Sequence, residues 1–222
     1  MEKTKVLIIG SSGYAKVIID IIEKMGQFEI IGLTDETRAF GEMTLGYKVL
    51  ANEQKLPQLF NEYPEVSVVM AIGDNWTRFQ AVQRICNINP YVTFPSIIHP
   101  SAQIAKDVKI GKGVVIMAGA IINSSSSIGD FTIINTKASL DHDNNLEKYS
   151  SLAPNATTGG NVHIGAFSAI GISATIKHGT TVGEQCVIGA SSFLYHNCED
   201  NSVMYGVPAK KIRTRKQGEK YL

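Results

Sequence analysis

The stretch that decides the fold is Ile110–Leu140, IGKGVVIMAGAIINSSSSIGDFTIINTKASL, in which Ile110, Ile116, Ile122, Ile128, Ile134 and Leu140 fall six residues apart. The rhythm extends backwards through Ile104 to Ile98 and forwards through Leu146, Leu152, Thr158, Ile164, Ile170, Ile176, Val182 and Ile188 to Leu194. Of these seventeen positions, sixteen are Ile, Leu or Val and one is Thr158. A helix repeats at about 3.6 residues and a half-buried strand at 2, so neither produces a rigid sextet over such a length. The pattern predicts a parallel β-helix with the aliphatics stacked inside.

Neighbouring columns agree. Two residues ahead of each aliphatic sits a small side chain (Ala120, Ser126, Thr132, Ala138, then Ala156, Val162, Ser168), with Asn144 the main polar exception. Glycine recurs one residue after the aliphatic at Gly111, Gly129, Gly165 and Gly183, with a second column through Gly171 and Gly189. These spacings make eighteen residues one full coil of three short faces, and glycine is expected to supply the turn conformations. Each coil should advance the chain by ~4.8 Å. With its interior filled, such a solenoid displays functional side chains on its outer corners.

At 222 residues the chain has room for two units, with the boundary expected between residues 95 and 96. Hydrophobic residues make up 44 % of it, and Lys plus Arg number 21 against 20 for Asp plus Glu, so no charge bias points to nucleic acid or a membrane surface. Cys86, Cys186 and Cys198 lack CxxC spacing and read as packing residues of a reducing compartment. No stretch resembles a signal peptide or a membrane span, and the expected location is the cytoplasm.

Residues 1–95 read differently. Apolar runs at Lys5–Ile9, Glu29–Leu33, Val66–Ile72 and Val92–Phe94 are predicted strands, alternating with helices ending near Met25, at Gln54–Tyr63 and at Trp76–Asn87. That alternation predicts a small parallel α/β sheet, Rossmann-like, with ligands at the carboxyl ends of its strands. Three loops meet there: Gly10–Lys16, Asp35-Glu36, and Gly73-Asp74-Asn75 with Arg78. Gly10-Ser-Ser-Gly13 lacks the second glycine of GxGxxG, which argues against a full dinucleotide site. What remains favours one phosphate-bearing group over a helix N-terminus, with Asp35 an acceptor for a ribose or base. The bland alternative is a plain turn with a solvated carboxylate.

In the coil, Asp141-His142-Asp143 is the one catalytic-looking cluster. Histidine exchanges protons near neutral pH, and an adjacent carboxylate fixes its tautomer and raises its basicity. His142 lies two residues past inward Leu140, at a turn, so its ring should project outward; the alternative is a solvated turn histidine. His178 and His196 share its column, but His142 and His178 are two coils, ~9.6 Å, apart, too far for ligands of one zinc, and the neighbours His178 and His196 have no evident third ligand unless another subunit supplies it. His99 and His163 read as surface or packing residues. Tyr205-Gly-Val-Pro-Ala-Lys210 breaks the period and should close the solenoid's end. The basic run after it, Lys210 to Lys220, reads either as a contact to a phosphorylated cofactor or as a solvated tail.

These features together resemble the hexapeptide-repeat acyltransferases, and more narrowly the sialic acid O-acetyltransferase and bacterial nucleotide-amino-sugar N-acetyltransferase group. The residues that carry the resemblance are Gly10-Ser-Ser-Gly13-Tyr-Ala-Lys16, Ala71-Ile-Gly-Asp-Asn75 with Arg78, Asn135-Thr136, Asp141-His142-Asp143 and Gly206-Val-Pro-Ala-Lys210. The resemblance implies a left-handed β-helix over residues 96–222, a homotrimer, and acetyl-CoA as acyl donor. It places the general base on His142, its orienting carboxylate on Asp143 and a cleft residue on Asn135. It implies acetyl-CoA contacts near Ser151, Gly160, Ile172, Ala190 and Lys210, with Ser151 standing where some members have a second histidine. It assigns a nucleotide-linked amino sugar to Gly10, Ser12, Gly13, Tyr14, Asp35, Glu36, Gly73 and Asn75. The implied activity is N-acetylation of a nucleotide-linked 4-amino-4,6-dideoxy sugar. The rivals are O-acetylation of a sialic-acid-like sugar, a β-helix metal hydrase, and a non-catalytic trimeric scaffold.

Overall fold

A computed structural model describes residues 3–221. The chain forms two units: one holds the sequence up to Gly73 together with Thr77–Ile97, the other Asp74–Trp76 and everything from Ile98 onward.

In the first unit the apolar run at the start becomes β1 (Thr4–Ile9), whose last four residues are buried. It pairs in parallel with β2 (Phe28–Thr34) on one side and, on the other, with the last strand of the sheet, Ser67–Met70. Between β1 and β2, α1 (Gly13–Met25) packs Ala15, Ile18, Ile19, Ile21 and Ile22 inward and ends at Gly26 in a left-handed cap. A hairpin of β3 (Met43–Thr44) and β4 (Tyr47–Ala51), not anticipated from sequence, extends the edge beyond β2. Its turn is Leu45-Gly46 at φ 45° and 87°; leucine there hides the usual Asn-Gly signal. Then follow α2 (Leu56–Glu62), β5 (Ser67–Met70) and α3 (Asn75–Ile88). The strand expected at Val92–Phe94 does not form. Val68 N–H reaches Thr93 O at 2.9 Å and the Ser67 and Thr93 hydroxyls meet at 2.7 Å, but no continuous ladder follows, and Pro90 and Pro95 flank the segment.

The second unit is a left-handed parallel β-helix. Among the described residues, seventeen two-residue strands run from Ile97–Ile98 to Phe193–Leu194, one every six residues. They build three faces, starting respectively at Ile97, Gln103 and Lys109, and each residue pairs with the one eighteen further on: Ile122 with Leu140, Leu140 with Thr158, Thr158 with Ile176. The sextet residues from Ile116 to Leu194 are buried as one core. The hairpin Ser202–Gly206 and Ala209–Thr214 closes the end, seating Met204 beside Ile188.

The corners correct one expectation. From Asp107 to Ser191 every sixth residue has left-handed φ between 55° and 67°, yet only Gly113, Gly119 and Gly179 among them are glycine. The glycine column lies elsewhere and serves close approach. A Cβ on Gly129 would stand 2.5 Å from the Lys148 nitrogen of the next coil, and one on Gly165 2.7 Å from that of Glu184. The left-handed corners are held instead by hydrogen bonds to the coil before, as the Phe131, Lys137 and Asn155 N–H groups make to Lys112 O, Ala118 O and Thr136 O, and one corner adds stacking. Phe131, Tyr149 and Phe167 occupy successive storeys of one corner with ring centroids 5.1 and 5.3 Å apart.

Candidate active site

The corner between the second and third faces carries Asp141, His142, Asp143 and Asn144. Leu140 points inward, so the chain must turn outward immediately after it, and Asp143 takes the left-handed position at φ 57°. Neighbouring coils grip the turn: the Asp143 N–H donates to Ser124 O at 3.0 Å, and His142 O accepts the Asn161 N–H at 3.0 Å. The His142 side chain is 56 % exposed, and its Nδ1 lies 2.7 Å from Asp143 Oδ2. Asp141 Oδ1 accepts the His142 N–H at 2.8 Å and Asn123 Nδ2 at 3.2 Å, which hold its carboxyl below the usual range. The Asp143 hydrogen bond, joined by the charge of Asp141, raises the imidazole above its ordinary pKa.

With Nδ1–H directed at Asp143, Nε2 is left with a lone pair, the state a general base requires. That edge of the ring lies over Gly160, one coil on, where an added Cβ would meet Cε1 at 2.6 Å and Nε2 at 2.7 Å. Gly160 is buried, its carbonyl accepts the Gly179 N–H at 2.9 Å, and its own N–H has no hydrogen-bond partner among the described residues. Beneath the turn, buried Asn144 donates through Nδ2 to Asp141 O, His142 O and Gly159 O at 2.6, 3.2 and 3.0 Å.

One copy of the coil does not gather every residue singled out from sequence. His142, Asp143 and Gly160 share a corner. Asn135, Ile172 and Ala190 share the adjoining corner, between the first and second faces, where Ile172 is 55 % exposed. Asn135 Oδ1 accepts the Thr136 N–H at 2.7 Å. Ser151 lies on the first face with Oγ 3.4 Å from the Tyr221 hydroxyl, and Lys210 is exposed on the closing hairpin opposite Tyr205. The basic run is not a solvated tail throughout: Arg213 pairs with Glu219 at 2.6 Å, and Arg215 is buried with its guanidinium on Gln185 O. His163 does more than fill surface, with Nε2 3.1 Å from Glu147 and Nδ1 3.1 Å from Asn145. His178 is exposed and His196 lies against Tyr195; no group of three or more His, Cys, Asp or Glu is set to hold a metal ion among the described residues.

In the α/β unit a cavity of about 210 Å³ opens at the carboxyl ends of β1, β2 and β5, lined by Gly10, Asp35, Glu36, Leu56, Ile72 and Ile85 among others. Gly10 is required: at φ 103°, its Cβ would stand 2.8 Å from Ala71 O. Asp35 knits the cavity mouth, accepting the Ser11 N–H and hydroxyl on one oxygen and Thr37 N–H, Thr37 hydroxyl and Arg38 N–H on the other. Partial burial opposes its ionisation, but the Ser11 and Thr37 bonds prevail and bring its pKa down to about 2. Glu36 accepts the Glu53 N–H at 2.7 Å, and Glu53 pairs with Arg84, both on the same rim. No motif announced Glu53 and Arg84 in the sequence. Ser12 and Gly13 stand exposed at the start of α1, with Tyr14 half-buried behind them. The Gly73 carbonyl accepts from buried Arg78 at 2.8 Å. Asn75 groups with the coil unit, its amide on the carbonyls of Phe167 and Ser168.

Comparison with known proteins agrees with this layout. The PglD N-terminal domain family matches residues 5–85. The UDP-N-acetylbacillosamine N-acetyltransferase of Bacillus subtilis (strain 168) is 31 % identical over 115 residues, 51 % of each chain, so the chain spans about half the length of the curated relative it matches. A variant of the GDP-perosamine N-acetyltransferase of Caulobacter crescentus, solved with CoA and GDP-perosamine, superimposes with a TM-score of 0.88 at 32 % identity, covering 93 % of this chain and 96 % of that one. The acetyltransferase domain of PglB from Neisseria gonorrhoeae, in complex with acetyl coenzyme A, gives 0.87 at 31 % identity over 95 % and 100 % of the two chains. With a like sheet, a like coil and near-complete overlap, the chain belongs to the hexapeptide-repeat nucleotide-amino-sugar acetyltransferases.

Proposed function

We propose that this protein transfers the acetyl group of acetyl-CoA to the amine of a nucleotide-linked 4-amino-4,6-dideoxy sugar, with His142 as general base. The observation that carries the reading is the outward His142–Asp143 pair with Nε2 poised over Gly160. The amine nitrogen bonds to the thioester carbonyl carbon while its proton passes to Nε2. The C–S bond then breaks, and the proton leaves with the thiolate, giving amide and free CoA. The Gly160 N–H is the donor for the oxyanion of the tetrahedral intermediate. Asp143 keeps Nδ1 protonated throughout. No covalent enzyme intermediate is needed, because holding two substrates together supplies much of the rate.

The Asn135–Ile172–Ala190 corner lies one face away from His142, so acetyl-CoA is best accommodated where that corner of one copy meets the His142 corner of another. Exposed Ile121 and Phe193 on the intervening face favour such contact, and a homotrimer closes it with threefold symmetry. The α/β cavity takes the nucleoside, with phosphate near Ser12 and Gly13 at the start of α1. Its Glu53–Arg84 rim sets a carboxylate acceptor beside a guanidinium donor, the complement of the guanine edge with N1–H and N2–H next to O6 and N7. A guanine nucleotide is therefore the preferred carrier.

The test is thiol release from acetyl-CoA with a panel of nucleotide-linked amino and hydroxy sugars. Turnover on amino sugars supports the reading. Turnover confined to hydroxy sugars would shift it to O-acetylation, and none at all with any acceptor would leave a scaffold. Light scattering at the mass of one chain would remove the trimer.

A further inference from the structure

The small inward column carries hydroxyls that tie one coil to the next in a regular way. Ser126 Oγ donates to Asp141 O at 3.1 Å, Thr132 Oγ1 to Glu147 O at 3.2 Å, and Ser168 Oγ to Gly183 O at 2.7 Å, each reaching the carbonyl fifteen residues on. Asn144, the single amide of that column, makes the same tie to Gly159 O at 3.0 Å. A serine would serve for that bond alone. The amide reaches further and also holds Asp141 O at 2.6 Å and His142 O at 3.2 Å. Its cost is plain: Asn144 is 1 % exposed, and its Oδ1 is buried without a partner. Turning the amide over would press Oδ1 against three carbonyl oxygens, so its orientation is fixed.

We infer that Asn144 is a positioning residue that fastens the turn bearing His142 to the Gly159-Gly160 turn, setting the distance between Nε2 and the Gly160 N–H. The inference rests on the reading of His142 as the base. The Asn144 amide makes no hydrogen bond to the ring or to the Asp143 carboxylate, so it governs where the imidazole sits and leaves its basicity alone.

Asn144→Ser keeps the coil-to-coil tie and drops the grip on the corner, and Asn144→Ala is the second variant. Each is to be measured alone and in the His142→Ala background. Expected for Asn144→Ser are a fall in kcat of about tenfold or more, KM for both substrates within about threefold, an unmoved acid limb in the pH profile and an undiminished Tm. In the His142→Ala background the same change should cost less than about twofold. Wild-type turnover in both Asn144 variants, or equal losses in the two backgrounds, or a loss confined to KM, overturns the inference while leaving the base in place. A His142→Ala protein as fast as wild type overturns both.

Discussion

The imidazole of His142 rests on Gly160, one coil further along, at a spacing that leaves no room for a methyl group. Gly160→Ala therefore obliges the ring to move away from the N–H proposed to bind the oxyanion. The backbone there needs no glycine φ, so stability should change little. We expect kcat to fall by about tenfold or more with a Tm within about 2 °C of wild type, read by steady-state kinetics and calorimetry on the same preparation.

The pH profile carries a second prediction. Asp143 and Asp141 stabilise the protonated ring, so its pKa lies above the ordinary histidine value of 6.5. A base must be neutral to act, so kcat/KM should rise with pH through an apparent pKa above that value and fall away below it. Asp143→Asn removes the main cause of the shift: the acid limb should move to lower pH while the plateau drops by about 10²-fold or more as the tautomer is lost. An acid limb that stays put in Asp143→Asn would disconnect it from His142.

Thr158 interrupts an otherwise aliphatic ladder between Leu140 and Ile176, and its buried hydroxyl has no partner. Thr158→Val keeps the shape and discards the stranded hydroxyl. The expected gain is about 1 kcal/mol, or roughly 2–4 °C in Tm for a chain of this size. A lower Tm would mean that the hydroxyl has a partner in solution.

Calorimetry with free nucleotides tests the cavity. GDP should bind more tightly than UDP or dTDP, and more tightly than IDP, which lacks the 2-amino group, by about 1–3 kcal/mol. Glu53→Gln should erase the difference between GDP and IDP. Equal binding of GDP and UDP by the unaltered protein would refute the guanine assignment and leave the acetyl transfer untouched.

The coil was legible in the sequence because its core is written at fixed spacing, and His142 was legible because Asp141-His-Asp143 interrupts a regular corner with titratable groups. The left-handed corners were not, since Phe131, Tyr149 and Phe167 are poor residues for positive φ and are held there by the coils above and below. Nor was the clamp at Asn144, whose partner Gly159 lies fifteen residues away, or the Glu53–Arg84 pair, joined across the cavity rim without any shared motif. Val92–Phe94 reads as a strand because its composition suits one, while the prolines on either side keep its contact with β5 from extending into a ladder. The strand rhythm fixes what points inward; what the surface does depends on contacts that no local spacing records.

The eighteen-residue pairing also limits how such a protein can change length. Since each rung bonds only to the rungs directly above and below, one entire storey can be lost or gained with every remaining rung still matched. A single extra residue between Leu140 and Leu146 would have to bulge from the corner that carries His142, because the rungs on either side are already matched to their neighbours. The height of the imidazole above the closing hairpin is thus set in whole steps of ~4.8 Å.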